Sequence, residues 1–300
     1  MKPTARGPLL ALLVAATSLT ACADAPGAPA ASEEEETSSA VSEECAGLQE
    51  EYPGLKGQSY DVGVSPGIGN YNNPNLEDPS NPDGLEPEVL RAAGECLGFT
   101  VTYKPQAFDA LIPAMKSERI QLISTGMYAT EERAQEISFV THLTAATAAI
   151  LPKGNPKGVM GLEDTCGLKV AAVTGTVENE IQAEQNAKCE AEGKQPAQAS
   201  TYAGNDQAIN AVRQGRSDYF LTDAGVAAQV AEQFSDDIEA GFAVPSEFAF
   251  GYGVPKDQTE LLEGLHAVLT VFYEDGTLEK AQEKWGFAPE QKLQPEIVAS

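Results

Sequence analysis

Arg133 stands in the stretch STGMYATEERAQEISF, where a strand is predicted to end at Ser124–Thr125 and a helix to start near Thr130. Thr130 suits the N-cap, and Glu131 and Glu132 suit the positive end of the helix. Arg133 does not, because a cation in the first turn opposes the dipole. Its place is tolerable if the guanidinium turns toward an anion; beside strand-end N–H groups, its fork would bond both oxygens of a carboxylate. A surface pairing with Glu136 is the plain alternative. Asp223 closes the strand YFLTD just before the helix AGVAAQVAEQ. Aspartate there is a routine N-cap, yet the same carboxylate is placed to face a ligand ammonium. Arg133 and Asp223 together would match a zwitterion.

A second stretch suggests different chemistry. GVSPG, Gly63 to Gly67, fits the G-x-S-x-G elbow that presents a nucleophilic serine in many hydrolases. Such a serine needs a general base and an oxyanion hole that uses the N–H of the following residue. That residue is Pro66, which has no N–H. Of the two histidines, His142 follows a short apolar strand and His266 lies in TELLEGLHAVLTVF, where packing or a solvated edge accounts for it. Ser65 is therefore read as part of a binding loop, whose small residues let the backbone approach a ligand. With no C-x-x-C and no histidine cluster, neither a metal, a cofactor nor catalysis is expected.

The elements that must position Arg133 and Asp223 repeat. FDALIPAMKSERIQLISTG, from Phe108, aligns without gaps on NDQAINAVRQGRSDYFLTD, from Asn205, with identities at Asp109/Asp206, Ile112/Ile209, Ala114/Ala211, Arg119/Arg216 and Thr125/Thr222. Each copy reads as an amphipathic helix, a turn and a buried strand. YDVGV, PEVLRAAGECLG and TVTYKP precede the first copy; KVAAVTG, VENEIQAEQNAKCEAEG and AQASTY precede the second. Each half thus reads strand, helix, strand, helix, strand. The expected class is α/β, with two similar lobes. Ligands of open α/β sheets bind outside the carboxyl ends of the strands; facing ends here make a cleft. The closing FAFGYGV and the helical residues after it are expected to cross back to the first lobe.

The ends of the chain and its charge bound the setting. Lys2 and Arg6 precede the apolar PLLALLVAATSL, a run of signal-peptide length that is too short to span a bilayer. LTAC, Leu19 to Cys22, resembles the lipobox of bacterial lipoproteins, which implies acylation of Cys22; a chance cysteine beside an ordinary cleavage site is the alternative. The following Ala-, Pro-, Ser- and Glu-rich segment has almost nothing to bury and is expected to stay disordered as a tether. Anchoring on the extracytoplasmic face of the cell membrane follows. A net charge of −26 argues against nucleic acid. Cys45, Cys96, Cys166 and Cys189 allow three pairings, and an exported chain with an even count favours disulfides. The preferred pairs are Cys166–Cys189, pinning a helix end to a strand start, and Cys45–Cys96, holding the N-terminal segment to the first helix; closing such a loop contributes about 3 kcal/mol.

FDALIPAMKSERIQLISTGMYATEERAQEISF closely resembles the hallmark of the polar amino-acid solute-binding proteins of ABC importers, and GLEPEVLRAAGECLGF, CGLKVAAVTGT, QGRSDYFLTD and FYEDGTLEKAQEKWGF fit the same family. The resemblance covers roughly 60–287. It implies a type II periplasmic-binding-protein fold, with hinge strands near Ala146–Leu151 and Ala249–Val254 and one ligand between the lobes. It implies that Arg133 holds the ligand carboxylate, that Thr125, Gly126 and Tyr128 offer hydroxyl or backbone groups, that Thr176 and Val177 form the second-lobe loop, and that Asp223 receives the α-ammonium. The chain departs from the family at SPGIGNYNNPN, with Ser65 where an acid might stand and Tyr71 displaced. Val177 replaces a threonine, and Tyr128 a small hydroxyl residue. Tyr71, Phe108 and Tyr128 are candidates for stacking on the ligand or for plain packing. The expected divisions are a signal peptide at 1–21, a tether and N-terminal segment at 22–54, lobe one at 55–148, lobe two at 149–250 and a return at 251–300. The expected role is capture of an amino acid or related zwitterion by a monomer that delivers it to ABC permease subunits. A dehydratase-like enzyme on the same scaffold, acting on a cyclic amino-acid precursor, is the alternative.

Overall fold

Runs of β-branched, aromatic and small residues form strands, and the two longest of them organise this protein, one buried along nearly all its length and the other buried from Phe250 to Val254. The computed structural model describes residues 43–65, 67, 69–73, 75, 77–78 and 80–300. Strands β4 (Ser138–Pro152) and β8 (Ile238–Val254) pair antiparallel, from Ser138 opposite Val254 to Pro152 opposite Ile238. On one side of this ribbon lie β1 (Ser59–Val64), β2 (Thr100–Pro105) and β3 (Leu122–Tyr128). On the other lie β5 (Lys169–Val173), β6 (Gln198–Tyr202) and β7 (Tyr219–Asp223). The hydrogen-bonded order is β2-β1-β3-β8-β4-β7-β5-β6. Within each group of three the pairing is parallel, and helices supply the crossovers that parallel strands need. These are α2 (Leu85–Leu97) and α3 (Leu111–Lys116) in lobe one, and α5 (Val177–Ala191) and α6 (Asn205–Arg213) in lobe two.

The two halves of the sequence repeat, α3–β3 and α6–β7, end on strands buried at every position. The ribbon changes partners between Ala145 and Thr147 on β4, which face Phe248 and Val244 on β8. Strand β9 (Lys292–Val298) adds to the outside of β4, with Phe139 opposite Val298. Its Pro295 is acceptable because an edge strand needs no donor on its free side.

Helix α2 shows how local sequence sets an element's end. Gly98 takes φ 81° and its N–H returns to the Gly94 carbonyl, a left-handed stop that costs a glycine little. Against α2 pack α8 (Thr259–Glu274) and α9 (Thr277–Lys284), burying Leu265, Leu269 and Leu278. Residues 43–51 form α1, fastened to α2 by the Cys45–Cys96 disulfide and by Gln49 Nε2 donating to the Cys96 carbonyl at 2.8 Å. Glu43 and Glu44, the last residues of the stretch expected to be disordered, are thus already helical, because Cys45 and Leu48 seat that segment on the core. The second disulfide, Cys166–Cys189, joins the approach to β5 to the end of α5. The signal segment, Cys22 and the tether to residue 42 lie outside the described residues. No helix among the described residues is long and apolar enough to cross a membrane.

Lobe one also buries an acid and a histidine. Glu86 and His142 are both 0% exposed. Glu86 Oε2 accepts from the Gly126 N–H at 2.8 Å, and its Oε1 lies 3.5 Å from His142 Nε2. His142 Nδ1 lies 3.2 Å from the Phe250 carbonyl, which assigns its hydrogen to Nδ1. Burial pushes Glu86 up to about 8, against the bonds from Gly126 and Ser124, and pushes His142 down to about 4. At neutral pH the contact is a neutral acid facing a neutral imidazole, not an ion pair. Glu86 holds its proton more tightly in the folded than in the unfolded chain. Its contribution to stability is therefore largest below its ordinary value of 4.5 and is lost as the pH rises to about 8. Glu86→Gln, which keeps the acceptor for Gly126, is expected to gain stability over the native chain between about pH 5 and about pH 8 in urea unfolding. A constant difference across that range would contradict the neutral-acid assignment.

Candidate functional site

Strand β7 ends at Asp223 where α7 (Ala224–Gln233) begins. Asp223 Oδ1 accepts from the backbone N–H groups of Gly225 at 2.8 Å and Val226 at 3.1 Å, which is the N-cap. The same oxygen accepts from the Tyr71 hydroxyl at 3.1 Å, across from the other lobe. Oδ2 is buried and has no hydrogen-bond partner among the described residues. Burial pushes Asp223 up to about 6; the Val226 N–H opposes this, and the charge of Glu178 adds to it.

Opposite, Thr130 caps α4 (Glu131–Glu136) by accepting from the Arg133 N–H at 3.2 Å. Arg133 thereby sits in the first turn. Its Nη1 donates to the Tyr128 carbonyl and its Nη2 to the Gly175 carbonyl of lobe two, both at 2.9 Å. The guanidinium carbon lies 5.4 Å from the centre of the Phe108 ring, so Phe108 supports the cation. Glu136 pairs with Lys116 instead, and no salt bridge among the described residues involves Arg133.

Both charged groups line one cavity between the lobes. Of the other residues singled out in the sequence, Phe108, Gly126, Tyr128, Thr176 and Val177 line it too. Thr176 is the N-cap of α5, accepting from the Asn179 N–H at 3.3 Å and donating to the Val173 carbonyl at 3.1 Å. The Gly126 N–H is taken by Glu86. Ser65 and Thr125 turn to each other: the Ser65 N–H donates to Thr125 Oγ1 at 2.8 Å, and that hydroxyl donates back to the Ser65 carbonyl at 3.2 Å. They join β1 to β3 and do not line the cavity. Tyr71 packs between Phe250 and Phe287, with ring centres 4.4 and 4.6 Å away. Gly84 seats that loop, since a Cβ there would lie 2.5 Å from the Tyr71 carbonyl oxygen.

Six further residues line the cavity that the sequence does not single out: Glu178, Asn205, Phe220, Leu221, Thr222 and Phe250. Glu178 follows the Thr176–Val177 pair directly, and in the first turn of α5 it reads as an ordinary dipole acid. Tyr128 stacks on Phe248 at 5.2 Å with planes 10° apart, and its buried hydroxyl has no partner among the described residues. The space left is ≈ 30 Å³, enough for water but not for an amino acid. Elsewhere the lobes touch directly: the Asn70 N–H donates to Gln229 Oε1 at 2.7 Å, and Gln229 Nε2 donates to Asn70 Oδ1 at 2.5 Å. This is a closed arrangement, and a ligand of amino-acid size enters a wider one.

The cap and the free oxygen of Asp223 are separable. Asp223→Ala is expected to lose about 1 kcal/mol of stability with the cap, whereas Asp223→Asn retains most of it. Equal losses in urea unfolding would contradict the capping role of Oδ1.

Comparison with known proteins agrees with this fold. The profile of the bacterial extracellular solute-binding proteins, family 3, matches residues 61–288. The arginine-binding protein ArgT of Corynebacterium glutamicum is 27% identical over 206 residues, 68% of this chain and 66% of that protein, just under two thirds of its length. An ancestral arginine-binding protein solved bound to arginine superposes with a TM-score of 0.70 at 26% identity, covering 76% of this chain and 98% of that one. The ancestral amino acid-binding protein AncCDT-1, a precursor of cyclohexadienyl dehydratase, gives 0.67 at 25% identity over 76% and 95% of the two chains.

Proposed function

We propose that this chain, which belongs to the bacterial extracellular solute-binding proteins, family 3, captures an amino acid between its lobes and delivers it to the membrane subunits of an ABC importer. One observation carries the reading: a single cavity receives Arg133 from one lobe and the buried, partnerless Asp223 Oδ2 from the other. A zwitterion supplies what each group lacks. Its carboxylate takes the guanidinium fork from the Tyr128 and Gly175 carbonyls, and its ammonium takes Oδ2. Only a cleft closed around the ligand, wider than the arrangement described above, brings both contacts to one small molecule, so binding shifts the population toward that ligand-holding form. The arginine recognised by two of the similar proteins supports an amino-acid ligand. Acylation at Cys22, with the acidic tether as spacer, would hold a monomer on the extracytoplasmic face.

The reading as a dehydratase on the same scaffold rests on the likeness to AncCDT-1. A binding protein returns its ligand unchanged, so product from a cyclic amino-acid precursor would favour the enzyme instead.

Arg133→Ala is expected to weaken amino-acid binding by about a hundredfold or more in titration calorimetry, because the carboxylate then enters a desolvated site without its partner. Unchanged affinity would overturn the site. Asp223→Asn is expected to weaken an amino acid more than its deaminated analogue. Equal losses would remove the ammonium role of Asp223.

A further inference from the structure

The charges of the cleft do not balance. Arg133 is the only cation lining the cavity among the described residues, whereas Asp223 and Glu178 are both acids. A zwitterionic amino acid adds a carboxylate for Arg133 and an ammonium for Asp223, and so leaves Glu178 uncompensated. Glu178 is half-buried and is not in a salt bridge among the described residues. Among the described residues its side chain takes one long bond, from Thr147 Oγ1 to Oε1 at 3.5 Å. Beside it lies the buried Tyr128 hydroxyl. The Tyr128 and Phe250 rings line the same cavity, 4.8 Å apart and tilted by 46°, with Phe248 stacked on Tyr128.

The dull account of Glu178 is a first-turn acid that complements the helix dipole. Such a residue is held below the usual carboxylate range, whereas burial pushes Glu178 up, against its own N–H, Tyr128 and Arg133. The charge of Glu178 also lifts Asp223. A half-buried carboxylate that shares a cavity with the Tyr128 and Phe250 rings, and has no salt-bridge partner among the described residues, is matched by an ammonium or guanidinium, which ion-pairs with the acid and lies over the rings.

We infer that Glu178 is a specificity residue that selects amino acids with a cationic side chain, its carboxylate pairing with the side-chain ammonium or guanidinium. This rests on the reading of the cleft as an amino-acid site. Thr147 Oγ1 on the β4–β8 ribbon and the Tyr128 hydroxyl then orient the acid, and the sum of cleft and ligand charges becomes zero.

Arginine and citrulline test the inference, because they share one shape and differ in the charge of the terminal group. Titration calorimetry with the native protein is expected to give arginine at least about tenfold tighter than citrulline. With Glu178→Gln that ratio is expected to fall toward unity through loss of arginine affinity, with citrulline little changed. Equal affinities in the native protein would overturn the role of Glu178 without any use of the variant, while leaving an amino-acid site. So would a ratio preserved in Glu178→Gln. Failure of arginine, lysine, citrulline and glutamine alike to bind would overturn the amino-acid reading itself, and this inference with it.

Discussion

The antiparallel pairing of β4 with β8 is the constraint on which the rest depends. Both strands run through both lobes, and each lobe hangs its parallel strands on one edge of the ribbon: β3 on β8, β7 on β4. The ribbon thus fixes that the carboxyl ends of β3 and β7 face one another. Those ends carry Tyr128, followed five residues later by Arg133, and Asp223. Lobes joined by two strands can swing while their ladders stay whole, because partners change over only a few residues. The site is a consequence of that joint, as no single lobe holds both charges.

Within the cleft, most polar groups are already engaged by the fold. Gly126 gives its N–H to Glu86, Thr176 caps α5, and Thr125 ties β3 to Ser65. The groups left to a ligand are therefore few and charged. Asp223 shows the division within one side chain, Oδ1 taken by three donors and Oδ2 by none among the described residues. The two tyrosines complete the closed form. Tyr71 reaches Asp223 from the loop in which the family pattern is broken, and Tyr128 stands where a small hydroxyl residue would leave more room. Tyr128, which lines the cavity, must yield as a ligand enters, so the energy of its packing sets how far the closed form competes with binding.

Much of this architecture was legible from the chain. The continuous apolar runs LIS and YFL mark β3 and β7 because buried parallel strands need no alternation. The helical run PEVLRAAGECLG closes on Gly98, whose left-handed φ ends α2 in the structure. Arg133 drew notice because it opposes its own helix dipole. Less visible was whatever depends on contacts far apart in sequence. Tyr71 meets Asp223 across 152 residues. Glu86 and Glu178 read as ordinary first-turn acids, and only packing shows that both turn inward. Ser65 and Thr125 have the small polar character of a binding loop, yet their nearest partners are each other. Strand β9, with a proline and charged residues, carries no alternation of its own and exists because β4 offers it an edge.

The most direct measurement is thermal unfolding of the protein against amino acids, sugars, amines and organic acids. A ligand at about 100 times its dissociation constant adds about 2.7 kcal/mol to the stability of the form that binds it. The midpoint is expected to rise with one or a few amino acids and to stay put with their deaminated counterparts and with sugars. A rise produced by a sugar or a deaminated acid, and by no amino acid, would contradict the assignment of Arg133 and Asp223 to the two ends of a zwitterion.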